Sequence, residues 1–176
     1  MRKYMEYFGK KVYIRQIQHD DTDDIVRWRN TKFVRDNFIF RAPFTAAIHE
    51  NWLRTMVETG KTDQFIIIEL ESGNKIGSVY LRDIDRDNRK CEFGIFIGEE
   101  KYLGKGYGKE ATQLILDHAF QHLKMHKVYL RVLKYNERAY NTYINAGFHV
   151  EGTAKDDVWL DGHPIDVIFM AILEGE

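Results

Sequence analysis

Residues 92–111 read Glu92-Phe93-Gly94-Ile95-Phe96-Ile97-Gly98-Glu99-Glu100-Lys101-Tyr102-Leu103-Gly104-Lys105-Gly106-Tyr107-Gly108-Lys109-Glu110-Ala111. The stretch begins as an apolar strand, breaks at three alternating glycines and runs into a patterned helix. Glycine at 104, 106 and 108 permits positive φ and leaves no Cβ in front of a close ligand. The loop N–H groups can then converge on one spot, where the following helix presents its positive end. Lys105 and Lys109 add formal charge. This is the pattern of a phosphate or pyrophosphate cradle between strand and helix. Two common nucleotide loops are excluded by spacing. A dinucleotide fingerprint needs G-x-G-x-x-G, whereas the glycines here run G-x-G-x-G. A P-loop needs Ser or Thr after Gly-Lys, and Glu110 follows Lys109.

Outward from this loop the chain alternates strands and helices. Residues 12–17 alternate as a first strand, and a helix with Ile25, Val26 and Trp28 follows the turn at 19–22. Residues 33–44 are irregular and aromatic. Thr45 caps a second helix carrying Ile48, Trp52, Leu53 and Met56, which Gly60 stops. Strands at 64–70, 75–84 and 89–97 form an antiparallel meander. The helix after the glycines buries Ala111, Leu114, Ile115, His118 and Ala119 at helical spacing. A strand at 128–133 leads to a helix capped by Asn136 and closed by Gly147. Two strands, about 150–159 and 164–172, flank an Asp161-Gly162 turn. The expected order is β-α-α-β-β-β-α-β-α-β-β, a mixed α/β sheet with a crossover at the glycine loop.

The 176 residues suit one domain, 1–176, with a full core. A net charge of −1 gives no global field for nucleic acid, so no nucleic-acid partner is expected. The single cysteine, Cys91, excludes an internal disulfide and fits a reducing compartment. No apolar run reaches spanning length and the first residues lack a signal-peptide core, so a cytoplasmic protein without a membrane partner is expected. His118, His122 and His126 fall four apart, but Ala119 stands where a metalloprotease helix has Glu, so no metal is expected.

Two segments carry a family resemblance. Leu103-Gly104-Lys105-Gly106-Tyr107-Gly108 is similar to the [QR]-x-x-G-x-[GA] loop of the GCN5-related N-acetyltransferases. Leu103 departs from that pattern at its first position, which touches one side-chain contact but not the backbone cradle. Asn136-Glu137-Arg138-Ala139-Tyr140-Asn141-Thr142-Tyr143-Ile144-Asn145-Ala146-Gly147-Phe148 resembles the family's N-x-x-A-x-x-x-Y-x-x-x-G-F. Element order resembles the family over nearly the whole chain.

The resemblance implies a mostly antiparallel sheet with a splayed central strand pair. It implies acetyl transfer from acetyl-CoA to a primary amine by direct attack in a ternary complex. The co-substrate would contact Phe96 and Ile97, the 103–109 loop (Leu103, Gly104, Lys105, Gly106, Tyr107, Gly108, Lys109), Asn136, Ala139 and Tyr143. Tyr143 would be the acid toward the departing thiolate; by spacing alone it is also a half-buried core tyrosine. Glu92 has two readings. Burial in the central strand would raise its pKa and make it the base, or it pairs with a neighbouring Arg or Lys.

By the same resemblance, the first two helices, their loop and the last hairpin form the acceptor pocket, with Trp28, Asn30, Phe38, Trp52, Arg82 and Trp159 as candidates. The 27–41 segment holds five basic residues and one acid, which disfavours a polyamine and suits a phosphorylated or carboxylate-bearing acceptor such as a nucleotide-linked amino sugar. A solvated basic helix face is the bland alternative. Trp28-Arg29-Asn30 and the Asp161-Gly162 hairpin resemble two subgroups, one acting on ribosomal-protein N-termini and one on nucleotide-linked amino sugars. Polyamine and aminoglycoside acceptors are the alternatives within the enzyme reading. A non-catalytic acyl-CoA-binding module is the alternative to it. A homodimer is expected, with Phe169 as a candidate contact.

Overall fold

The computed structural model describes residues 4–176. Eight strands form one sheet: β1 (Glu6–Phe8), β2 (Val12–Gln16), β3 (Asp63–Glu69), β4 (Lys75–Asp85), β5 (Lys90–Ile97), β6 (Lys127–Leu133), β7 (His149–Leu160) and β8 (His163–Leu173). Their order is β1-β2-β3-β4-β5-β6-β8-β7. Every pairing is antiparallel except β5 with β6. That parallel pair is joined by α4 (Tyr107–Asp117), the crossover helix a parallel connection requires.

β5 and β6 pair only over Lys90↔Lys127, Cys91↔Val128 and Glu92↔Tyr129. Beyond Glu92 the two strands part. The β6-facing edge of residues 93–97 is thus open, while the other edge stays paired with β4 up to Gly77↔Ile97. This is the splayed strand pair, and the chain emerging from it forms the glycine loop.

Local signals set the remaining ends. Thr45 accepts from the Ile48 N–H at the start of α3 (Ala46–Trp52), which widens into a π-type turn at Leu53–Val57. Asn136 accepts from the Ala139 N–H at the start of α5 (Glu137–Asn145), and Gly147 closes that helix at φ +99°. Asp161 and Gly162, both at positive φ, turn β7 into β8. The first helix is α1 (Thr22–Arg29). Two elements depart from expectation. β1 is an additional edge strand, and residues 32–35 form a short helix, α2 (Lys32–Arg35), inside the stretch expected to be irregular.

Two cores flank the sheet. Ala111, Ile115 and Ala119 of α4 and its continuation pack with Phe65, Val79, Cys91 and Phe93 on one face. Ile25, Trp28, Leu53 and Val57 pack on Ile66, Ile68 and Phe96 on the other. His118 is buried between Asp63 (2.9 Å) and the Tyr7 hydroxyl (2.7 Å), a polar tie between α4 and the sheet. Among the described residues no His/Cys/Asp/Glu group could hold a metal ion, and no helix is long and apolar enough to cross a membrane.

Candidate functional site

A cavity of about 1070 Å³ runs from the glycine loop, through the splayed strands, to the helices α1–α3. Its volume exceeds that of a single small-ligand pocket and suits two substrates side by side.

At the loop end, Leu103, Gly104, Gly106, Tyr107, Gly108 and Lys109 line it, with Asn136 and Ala139 across from them. Gly104 (φ +73°) and Gly106 (φ +84°) are left-handed, and Gly106 is the residue that opens α4. The first-turn N–H groups of α4 have no acceptor within the helix, and Tyr107, Gly108 and Lys109, which carry them, line this space. Space around Gly104 and Gly108 is open, with no atom within 4 Å of an added Cβ. Gly108 itself is helical and not left-handed, so its smallness, not its φ, keeps the cradle clear. Lys105 does not line the cavity; its ammonium lies 5.6 Å from the Tyr102 ring centre and its carbonyl accepts from Lys11 Nζ. These groups fit a pyrophosphate, and Phe96 and Ile97 offer the open strand edge for an extended chain beside them.

Tyr143 stands where the strands part. It projects from α5, packed edge-on to both Phe93 and Phe148, and is buried. Burial holds its phenol well above the ordinary value, so it stays protonated at neutral pH. No described residue hydrogen-bonds its hydroxyl.

The acceptor end is built by register. Arg82↔Glu92, Tyr80↔Gly94 and Ser78↔Phe96 are opposed pairs on one face of β4 and β5. Glu92 is buried and held on both sides, by Arg82 Nε at 2.9 Å and Arg131 Nε at 2.9 Å. Burial alone would raise its pKa; the two guanidiniums outweigh that and hold it below the usual carboxylate value. The expectation of a raised pKa is thereby corrected, and the ion-pair reading describes this carboxylate.

The candidates from the first helix divide by helical rotation. Trp28 does not line the cavity: it is fully buried, with its ring against Gly98 and Phe96. Asn30 does not line it either. Its side chain fixes the Phe44 backbone from both directions, at 2.7 and 2.9 Å. Arg29, between them and not among the pocket candidates, faces the cavity. Trp159 is 71 % exposed on the last hairpin, away from the cavity. Phe38, Trp52 and Arg82 do line it, and Trp52 is fixed by Gln64 at 2.9 Å. Tyr80, His49, Arg131 and Arg138 complete the wall and were also missed. Alternation along β4 could have found Tyr80, since it shares a face with Arg82. The others had no local signal.

His49 is buried and neutral, its pKa pushed down to about 4 by desolvation. Thr22 donates to Glu50, so the His49 Nδ1–H donates to Thr22 at 2.9 Å and Nε2 is left with a bare lone pair.

Comparison with known proteins decides the family. A family model described as an acetyltransferase (GNAT) domain matches residues 11–149. The chain belongs to the GNAT acetyltransferase family. It is an acetyl-CoA-dependent N-acetyltransferase. The spermidine N(1)-acetyltransferase of Escherichia coli K12 is 30 % identical over 163 residues, covering 93 % of this chain and 86 % of the relative. A putative ribosomal N-acetyltransferase of Bacillus subtilis is 30 % identical over 107 residues, covering 61 % and 58 %. The crystal structure of the Vibrio cholerae spermidine N-acetyltransferase with CoA and spermine superposes with a TM-score of 0.87 at 25 % identity, covering 94 % and 96 %.

Proposed function

We propose that this enzyme acetylates a primary amine of a small acceptor by direct attack within a ternary complex. The carrying observation is the continuity of the cavity, which joins the glycine-loop end to the acceptor end without a wall between them. Holding two reactants together this way supplies much of the acceleration by proximity. In this reading the N–H groups of 103–109 and Asn136 hold acetyl-CoA. Tyr143 gives its proton to the departing thiolate. Glu92 fixes Arg82 and Arg131, and acts as base only if the arginines yield it.

Two acceptor readings compete. The relatives' names support a polyamine. The charge of the acceptor end supports an amine on an anionic or neutral body, such as a nucleotide-linked amino sugar, because among the described residues the only carboxylate in the cavity wall is shared by Arg82 and Arg131, while Arg29 and Arg138 line it with no ion pair. A polycation there would meet excess positive charge. We favour the second reading. Self-association belongs to the same proposal. A structure of the V. cholerae relative is described as dodecameric, and Trp159 and Val150 on β7 expose apolar surface.

Thiol release from acetyl-CoA over a panel of spermidine, a UDP-linked 4-amino sugar, peptides with free N-termini and an aminoglycoside tests this. Turnover confined to the amino sugar supports the favoured reading. Turnover of spermidine in its place overturns it in favour of the polyamine reading. Acetyl-CoA binding with no turnover on any of these amines places the acceptor outside this panel.

A further inference from the structure

Arg29 is a cation with nothing to neutralise it. Its guanidinium carbon lies 3.7 Å from the Phe38 ring centre and 4.5 Å from that of Phe44, clamped between two aromatic faces. Its Nε is buried without a hydrogen-bond partner, and among the described residues it forms no ion pair. The neighbours do not help. Arg82 repels it, Tyr80 is a neutral phenol and His49 is uncharged. Glu92, the one cavity carboxylate among the described residues, is already held by Arg82 and Arg131. Desolvation disfavours the charged form of Arg29, as expected for a guanidinium withdrawn from water without a counter-charge.

The surroundings hold this arrangement in place. Asn30 bonds the Phe44 backbone on both its donor and acceptor sides. Arg41 fastens the Phe38 carbonyl (3.1 Å), and also bonds the Asp36 carbonyl and Asp161 of the last hairpin. Both aromatic plates are thus positioned by polar contacts that do nothing for Arg29 itself. A half-buried cation without a counter-charge is costly to keep for stability alone. Its planar fork suits a carboxylate or phosphate.

We propose that Arg29, stacked between Phe38 and Phe44, binds an oxyanion carried by the amine acceptor, either a carboxylate or a phosphate. This rests on the reading of the α1–α3 end of the cavity as the acceptor site. The anion completes the site by supplying the counter-charge that the fold withholds. Acceptors with an anionic group at suitable reach from the amine are selected, and polycations are rejected at the same residue.

The test uses the 176-residue protein saturated with CoA, so that the glycine loop is occupied. Inorganic pyrophosphate and succinate are titrated separately by calorimetry into wild type, Arg29→Met and Arg29→Lys. At least one anion binds wild type saturably, binds R29M on the order of thirtyfold more weakly, and recovers in part with R29K. Pyrophosphate alone marks a phosphate acceptor; succinate alone marks a carboxylate. R29M keeps its CoA affinity and melts within a few degrees of wild type, because the lost cation had ring contacts but no counter-charge. Failure of both anions to bind wild type, or equal binding by R29M, overturns the proposal. A marked drop in the R29M melting temperature also overturns it, since that makes Arg29 structural. Anion binding is read without turnover, so failure of the acetyl-transfer reading shows separately, in the thiol-release assay.

Discussion

The ring of Tyr80 fills the space that a side chain at Gly94 would need. The two residues are opposed across β4 and β5, and a Cβ built on Gly94 would stand 2.3 Å from Tyr80 Cζ. Gly94 is therefore small because Tyr80 crosses it. Both line the cavity, so this contact sets the shape of the acceptor end.

Gly94→Ala forces the Tyr80 ring aside. We expect a loss of about 1–3 kcal/mol in stability from overpacking. The kcat/KM for the amine falls about tenfold or more from displaced cavity-wall groups, with acetyl-CoA affinity retained. Steady-state kinetics with both substrates varied and a CoA titration separate the two effects. Unchanged amine kinetics would show that Tyr80 does not shape the site.

Tyr143→Phe removes only a hydroxyl that no described residue binds. Stability should change by less than about 0.5 kcal/mol, while turnover falls about tenfold or more if the phenol is the acid. Acetyl-CoA affinity stays near wild type. Turnover that survives the change assigns Tyr143 to packing alone.

Glu92→Gln removes the charge that two arginines share. Breaking a buried pair of this kind costs about 3 kcal/mol or more. The folded-state pKa of Glu92 is depressed, so its contribution is fully present above its unfolded value and is lost as pH falls through the folded value. The wild-type minus E92Q difference in melting temperature should therefore be flat from neutral pH down to about pH 4.5 and shrink below it. A difference that already shrinks between pH 7 and 5 would restore the raised-pKa base reading.

Gly106→Ala and Gly108→Ala divide the two uses of glycine in the loop. Gly106 is left-handed, so alanine costs about 1–2 kcal/mol there. Gly108 is helical with open space around it, so alanine is neutral or stabilising by up to about 1 kcal/mol. If the cradle needs close backbone approach, G108A loses acetyl-CoA affinity while folding at least as well as wild type. Calorimetric titration beside thermal melts reads both quantities. A G108A protein that binds acetyl-CoA normally would remove Gly108 from the cradle.

Much of this molecule is legible in short windows of sequence. Thr45 and Asn136 cap their helices, Gly147 and Asp161-Gly162 turn where glycine chemistry demands, and the 92–111 stretch forms strand, loop and helix in turn. Each of these depends on groups within a few residues of one another, so periodicity and turn preference suffice. The loop and α5 segments also placed the Gly104, Gly106, Asn136 and Tyr143 positions around one cavity.

The acceptor end was not legible in this way. Trp28, Arg29 and Asn30 are consecutive, yet one enters the core, one faces the cavity and one pins Phe44, because each helical step turns the side chain by about 100° and only packing says which direction is inward. The pKa of Glu92 depended on Arg82, ten residues before it, and Arg131, thirty-nine after it. Sheet register brings those two guanidiniums to the carboxylate, and no local pattern encodes register between β5 and β6. Sequence by itself determined the order of elements apart from β1 and the short α2, the strand–glycine loop–helix turn and the resemblance that named the chemistry. Tertiary structure alone decided which charges are paired and which is left free, because burial and distance across the sheet set electrostatics that adjacency along the chain does not.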